Sequence, residues 1–222
     1  MSERTNGQFA SQAYHIEAME NGLRVVAPTS PVLSRGDTLN RPTITIEFLA
    51  VSPEVISVRA WHYEGYRTGE ARFEKKETTC GAVVTITENE AVLDAGRVSV
   101  HVDRKNWGYS FWADGKLLTS SGFHNLGYVR WDKRVSSMLP QDNYMKEHEY
   151  TPYMTQDLLL APGENVYGFG ERFTAFVKNG QAVETWNEDG GTASQVAYKN
   201  IPFYMTNRGY GVFVDHTGNV SF

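Results

Sequence analysis

The chain has 222 residues, 41% hydrophobic, 21% charged and 13% aromatic, with a formal net charge of −5. That balance suits a soluble globular protein with a substantial core, and it gives no reason to expect a nucleic-acid or anionic-membrane partner. Cys80 is the only cysteine, which excludes an intrachain disulfide.

The opening residues, Met1 to Gln12, lack the apolar core of a secretory signal. No run approaches the roughly 18 apolar residues of a membrane span, so the expected compartment is cytoplasmic. Residues 1–22 read as a polar N-terminal segment ending in the turn signal Asn21-Gly22. From Leu23 the pattern is strand-like. Thr43 to Phe48 alternates with period two, with Pro42 at its entry, and Val55 to Trp61 alternates again. Val83 to Ile86, Val98 to Val102 and Tyr109 to Trp112 continue the series, as in a sandwich. Asp114-Gly115 between hydrophobic flanks predicts a tight hairpin. Residues 132–156 read as a long loop and Asp157 to Leu160 as a strand. Phe203 to Thr206 and Tyr210 to Val214 form a second predicted hairpin. No internal repeat or helix stands out. The expected class is all-β, a β-sandwich over 23–222.

Most chemical motifs fail on inspection. Gly168-Phe169-Gly170 lacks the third glycine of a dinucleotide fingerprint, since position 173 is Phe. Its glycines instead suggest a bulge or close backbone packing. Asn187-Glu188-Asp189-Gly190 sits in a calcium-loop register whose first and twelfth positions are Thr185 and Val196, where carboxylates are required. The six histidines are scattered, and one cysteine gives no zinc pattern. No Gly-x-Ser-x-Gly elbow supports a serine triad. Cys80 reads as a small buried residue, with nothing beside it to suggest activation. No metal and no cofactor is expected.

Lys178 to Asn200 is different. Its length exceeds the ~12–15 residues beyond which unstructured connections are usually functional or disordered. It presents Trp186, Asn187, Glu188 and Asp189 before Gly190-Gly191. Carboxylates and amides serve sugar hydroxyls, and an aromatic face covers the apolar side of a sugar ring. On residue types alone two readings stay open. Trp186 is a packing residue or a ligand plate, and Asp189 is a turn former or a ligand.

Three blocks carry a resemblance: Tyr167 to Phe173, Glu184 to Gly191, and Tyr198 to Met205. Together they resemble the N-terminal domain of glycoside hydrolase family 31, most of all its bacterial α-xylosidases. Weaker similarity reaches back to Val58-Arg59-Ala60-Trp61-His62-Tyr63. The resemblance implies a galactose-mutarotase-like β-sandwich packed on a (β/α)₈ barrel that would follow Phe222, with the sandwich cut before its last strands. It also implies a retaining α-glycosidase, an α-xylosidase or α-glucosidase, acting on an α-linked oligosaccharide. Both catalytic carboxylates would then lie in the barrel, so no catalytic residue is expected here and the fragment alone should be inactive. Asp189 would bind sugar hydroxyls, while Trp186 and Asn187 match the motif as substrate-binding positions. A homo-oligomer is compatible with all of this. The competing readings are a non-catalytic carbohydrate-binding sandwich and a mutarotase-like epimerase, which would need a His and Glu pair in its groove.

Overall fold

Alternation along the chain decides which side chains meet. In β4 (Thr43–Ser52), Ile44, Ile46, Phe48 and Ala50 are buried. The neighbouring β3 (Gly22–Pro28) buries Leu23, Val25 and Ala27 on the same face, because Leu23 stands opposite Phe48 and Val25 opposite Ile46. β2 (His15–Met19) and β5 (Val55–Trp61) complete a four-stranded antiparallel sheet in the order β2-β3-β4-β5. A five-stranded antiparallel meander supplies the opposing layer. It comprises β6 (Val83–Ile86), β7 (Glu90–Asp94), β8 (Val98–Asp103), β9 (Gly108–Ala113) and β10 (Lys116–Ser121). Its inward residues Leu93, Val100, Val102 and Tyr109 join the first layer in one hydrophobic cluster. Phe48 meets Tyr109 edge-on, with ring centroids 5.0 Å apart.

This computed structural model describes residues 5–39, 42–63, 73, 80–132, 150–188 and 197–222. The chain divides into two units. The first is Met1–Gly65 with Glu77–Leu159, and the second is Tyr66–Lys76 with Leu160–Phe222. The first unit contains the two layers above and a third sheet, β1-β11-β12, made of β1 (Thr5–Phe9), β11 (Leu126–Asp132) and β12 (Tyr150–Gln156). The second contains one sheet, β13-β14-β15, made of β13 (Val166–Gly170), β14 (Asn200–Thr206) and β15 (Gly211–Phe213). The class is all-β. The single helical piece among the described residues is a 3-10 turn, Arg35–Thr38. No helix among them is long and apolar enough to cross a membrane.

The strands predicted at 43–48, 55–61, 83–86, 98–102 and 109–112 are all present. So is the Asp114-Gly115 hairpin, with φ of 50° and 73° at the two turn residues. Cys80 is half-buried against the core. Three readings need correction. The polar opening contains β1 and β2, and β2 is short and mostly exposed with Ile16 turned to the core, so its apolar signal in the sequence is slight. The predicted 132–156 loop contains β12 at 150–156. Among the described residues that strand pairs with β11 alone, and an edge strand tolerates Pro152. Finally, 157–160 is not a strand. It is tied down by Asp157 N–H donating to Asn125 O at 2.6 Å and Leu159 N–H to Ser120 O at 2.9 Å.

Candidate functional site

The sheet of the second unit is built around a bulge. Gly168 pairs with Tyr204 and Gly170 with Asn200, and the register shifts between them, leaving Phe169 at φ 68°. Both glycines are required. A Cβ on Gly168 would lie 2.7 Å from Phe203 O, and one on Gly170 would lie 2.1 Å from Lys199 O. The bulge turns Phe169 inward, where its ring meets Tyr204 at 5.8 Å and Phe222 at 4.6 Å. Burial first, and the nearby Glu164 charge second, push the Tyr204 hydroxyl up to about 12.

From this sheet the chain runs out through 171–199 and returns. Its outward limb is held at each step. The Lys178 ammonium is buried but donates to Thr174 Oγ1 at 2.9 Å and to Ala175 O at 2.6 Å. Desolvation, with the Arg172 charge behind it, lowers its pKa. Val183 exchanges backbone hydrogen bonds with Phe222, both 2.8 Å, and Thr185 donates to Val220 O through N–H (2.9 Å) and Oγ1 (3.0 Å). Ser221 Oγ donates to Glu184 Oε1 at 2.5 Å.

Asn200 is the hub of the return. Its Nδ2 donates to Trp186 O at 2.7 Å, Ala197 O at 2.6 Å and Asn187 Oδ1 at 3.1 Å, while its N–H donates to Asn187 Oδ1 at 2.8 Å. Its Oδ1 accepts from Arg172 at 2.6 Å, and Arg172 also donates to Glu184 O. Desolvation lowers the Arg172 pKa, with the Glu184 charge opposing. Asn187 and Ala197 form an isolated parallel bridge, closed by Glu188 N–H to Ala197 O at 3.0 Å. The Trp186 peptide is therefore fixed while its side chain remains 52% exposed.

The sequence model described as the glycosyl hydrolase 31 N-terminal galactose mutarotase-like domain matches residues 44–222. The chain belongs to glycoside hydrolase family 31. It is 37% identical over 209 residues to the α-xylosidase XylQ of Lactiplantibacillus pentosus, covering 93% of this chain and 25% of that protein. It is 37% identical over 196 residues to an α-xylosidase of Emericella nidulans, covering 84% of this chain and 25% of that protein. The chain thus spans about a quarter of the length of these relatives. The fold is shared with the family 31 dextranase of Flavobacterium johnsoniae complexed with glucose. That match has a TM-score of 0.68 at 18% identity and covers 97% of this chain and 23% of that one.

Of the residues singled out in the family 31 motif, Trp186 and Asn187 lie side by side in the returning loop. Asp189 lies outside the described residues. Asn187 has its oxygen occupied by Asn200, so its visible work is to shape the loop. Asn200 and Arg172 lie inside the blocks that resemble family 31, with no role expected for either from the sequence. Their signal is weak: Asn200 closes the 178–200 loop three residues before the strand expected at 203–206, and Arg172 stands just past the Gly168–Gly170 pair.

Elsewhere, Ser99 Oγ, the His101 ring and Glu90 form a row, with 3.1 Å from Ser99 Oγ to Nε2 and 2.8 Å from Nδ1 to Glu90 Oε1. His101 and Glu90 border an open groove of about 410 Å³. Ser99 and His101 lie on β8, which is paired on both sides, so its backbone N–H groups are committed to the ladder and supply no oxyanion hole. Among the described residues no His, Cys, Asp or Glu group has a metal-binding arrangement.

Proposed function

We propose that the chain is the N-terminal domain of a retaining α-glycosidase of the α-xylosidase type, lending its 171–199 loop to the substrate pocket of a catalytic barrel. The observation that carries this is the Trp186 segment. An aromatic side chain stays half-exposed on a backbone locked by Asn200, Val220 and Ala197. Packing alone gives no reason to present an exposed indole from a backbone this firmly held, whereas a sugar-ring platform benefits from both its exposure and its fixed attachment. The 37% identity to two α-xylosidases supports the substrate class.

In this reading Trp186 covers the apolar side of a sugar, and Asn187 holds the loop through Asn200. Asp189 accepts hydrogen bonds from sugar hydroxyls on the leaving-group side. Retaining hydrolysis needs two carboxyl groups about 5–5.5 Å apart, one as nucleophile and one as acid and base. Neither role is assigned to a residue of this chain.

The test uses this chain joined to a family 31 barrel. Desolvated hydrogen bonds to a charged group contribute roughly 1.5–3 kcal/mol. Asp189→Ala should therefore lower kcat/KM about 10- to 100-fold on an α-xylosyl disaccharide. The loss should be smaller on an aryl α-xyloside, which lacks the second sugar. Equal losses on both substrates would return Asp189 to a turn-forming role. A preference for aryl α-glucosides over α-xylosides would refute the α-xylosidase assignment.

A further inference from the structure

The core of the first unit takes Leu93, Val100, Val102 and Tyr109 from the five-stranded meander, so alternation sends their neighbours to the opposite face. There the register sets Asp103 beside Glu90, His101 beside Ser110, and Ser99 beside Trp112. The groove of about 410 Å³ lies over part of this face, within the ~300–1,000 Å³ of small-molecule sites. Its rim comes from the turns on either side, Asn89 from one and Lys105 and Asn106 from the other.

The two turns are braced against each other. Arg104 donates its N–H to Asn89 O at 2.9 Å and its guanidinium to Thr87 O. The Asp103 carboxylate accepts from the N–H groups of Lys105 at 2.8 Å and Asn106 at 3.0 Å, which closes the second turn. The groove is therefore shaped before any ligand arrives, which lowers the cost of binding.

Its lining selects the ligand by elimination. Every lining side chain is polar, which disfavours an apolar molecule. The carboxylates of Glu90 and Asp103 face a single lining ammonium, that of Lys105, which disfavours an anion. Among the described residues no side-chain group is arranged to hold a metal ion. A neutral, polyhydroxylated ligand fits what is left. Among the described residues, the Asn89 amide, the Lys105 ammonium and Glu90 Oε2 have no partner within the protein. The Ser110 hydroxyl accepts from Trp112 Nε1 at 2.8 Å and keeps its own proton to donate. Trp112 itself is half-buried with its ring 5.7 Å from the His101 ring, so an indole stands beside these donors and acceptors. The His101–Glu90 pair does not add epimerase chemistry. Its members are bonded to each other at 2.8 Å, which leaves no reacting atom between acid and base.

We propose that this groove on the first unit is a binding site for a neutral oligosaccharide. It uses no residue of the Trp186 loop and does not depend on the activity proposed above.

The test is an amide chemical-shift titration of this chain with isomaltotriose, with inorganic phosphate as the anionic comparison. An open groove buries little of its ligand, so the expected dissociation constant is on the order of 1 mM. The amides of Asn89, Glu90, His101, Lys105, Asn106 and Ser110 should shift saturably with the sugar and hardly at all with phosphate. Asn89→Ala with Lys105→Ala should weaken binding at least tenfold while circular dichroism and Tm stay unchanged. Undiminished binding by that folded variant would overturn the site. The titration of the unsubstituted chain decides the matter even where the variant is destabilised. Absence of saturable shifts at these amides, or equal shifts with phosphate, would overturn the proposal. Shifts confined to 186–188 would do so as well, while supporting the role given to Trp186.

Discussion

The largest fully buried side chains among the described residues, from Phe48, Leu23, Ile44 and Ile46 to Leu93 and Val102, all belong to the first unit. In the second unit Phe169, Val183 and Ala197 are buried beside Glu164, Lys178, Thr185 and Thr206, each carrying a polar or charged group. The first unit is a product of apolar burial between two layers, a non-directional force that tolerates many contours. The second has a small sheet and is held by side chains that bond to backbone at defined positions. Such bonds are modest individually and expensive to break when buried. The contrast fits the division of labour: a core gives stability, while directional bonds give a loop a single shape.

Removing Phe48 should have the largest effect. Phe48→Ala empties the centre of the two-layer core and should cost about 3–5 kcal/mol, read as a fall in Tm and lost amide protection in β3, β4, β8 and β9. A loss below about 1 kcal/mol would mean that the two layers are not the stabilising core.

Asn200→Ala is the matching cut in the second unit. It removes three donor contacts and one acceptor contact, and should cost about 2–4 kcal/mol locally. Hydrogen exchange should quicken at 185–188 and 197 while β4 keeps its protection. Equal loosening of β4 would break the comparison.

The smallest effect is in acid. Burial opposes ionisation of Glu164, but the hydroxyls of Tyr210 and Thr206, the Ala161 N–H at 2.8 Å and the Arg208 charge outweigh it, so its folded pKa lies below the ordinary 4.5. A depressed carboxyl pKa stabilises the fold above its unfolded value and loses that contribution as pH falls through the folded one. Exchange in β14 and β15 should therefore quicken below about pH 4.5, and Glu164→Gln should flatten that dependence. An identical acid response in the variant would remove Glu164 as its source.

Alternation made the first unit legible. Thr43 to Phe48 and Val55 to Trp61 reveal themselves because one face is apolar, and period two then dictates which residues turn inward. Asp114-Gly115 was equally plain, because few residue pairs accept positive φ. β2 was not, since five residues that offer the core little beyond Ile16 carry too short an apolar alternation to stand out. The bulge at 168–170 was foreshadowed by its glycines, but only the pairing shows that Lys199 O and Phe203 O occupy the space a side chain would need.

The candidate site divides along the same line. Composition and motif picked out Trp186 and Asn187 and the length of their loop. Tertiary structure alone decided that Val220 to Phe222 returns to pair with 183–185, and that Asn200 ties 186, 187, 197 and Arg172 into one arrangement. The physical reason is range. Periodicity is written in neighbours two residues apart, whereas these bonds join residues up to 39 positions apart, from Val183 to Phe222. Nothing local to either segment specifies the other, and only the folded chain brings donor and acceptor within 3 Å.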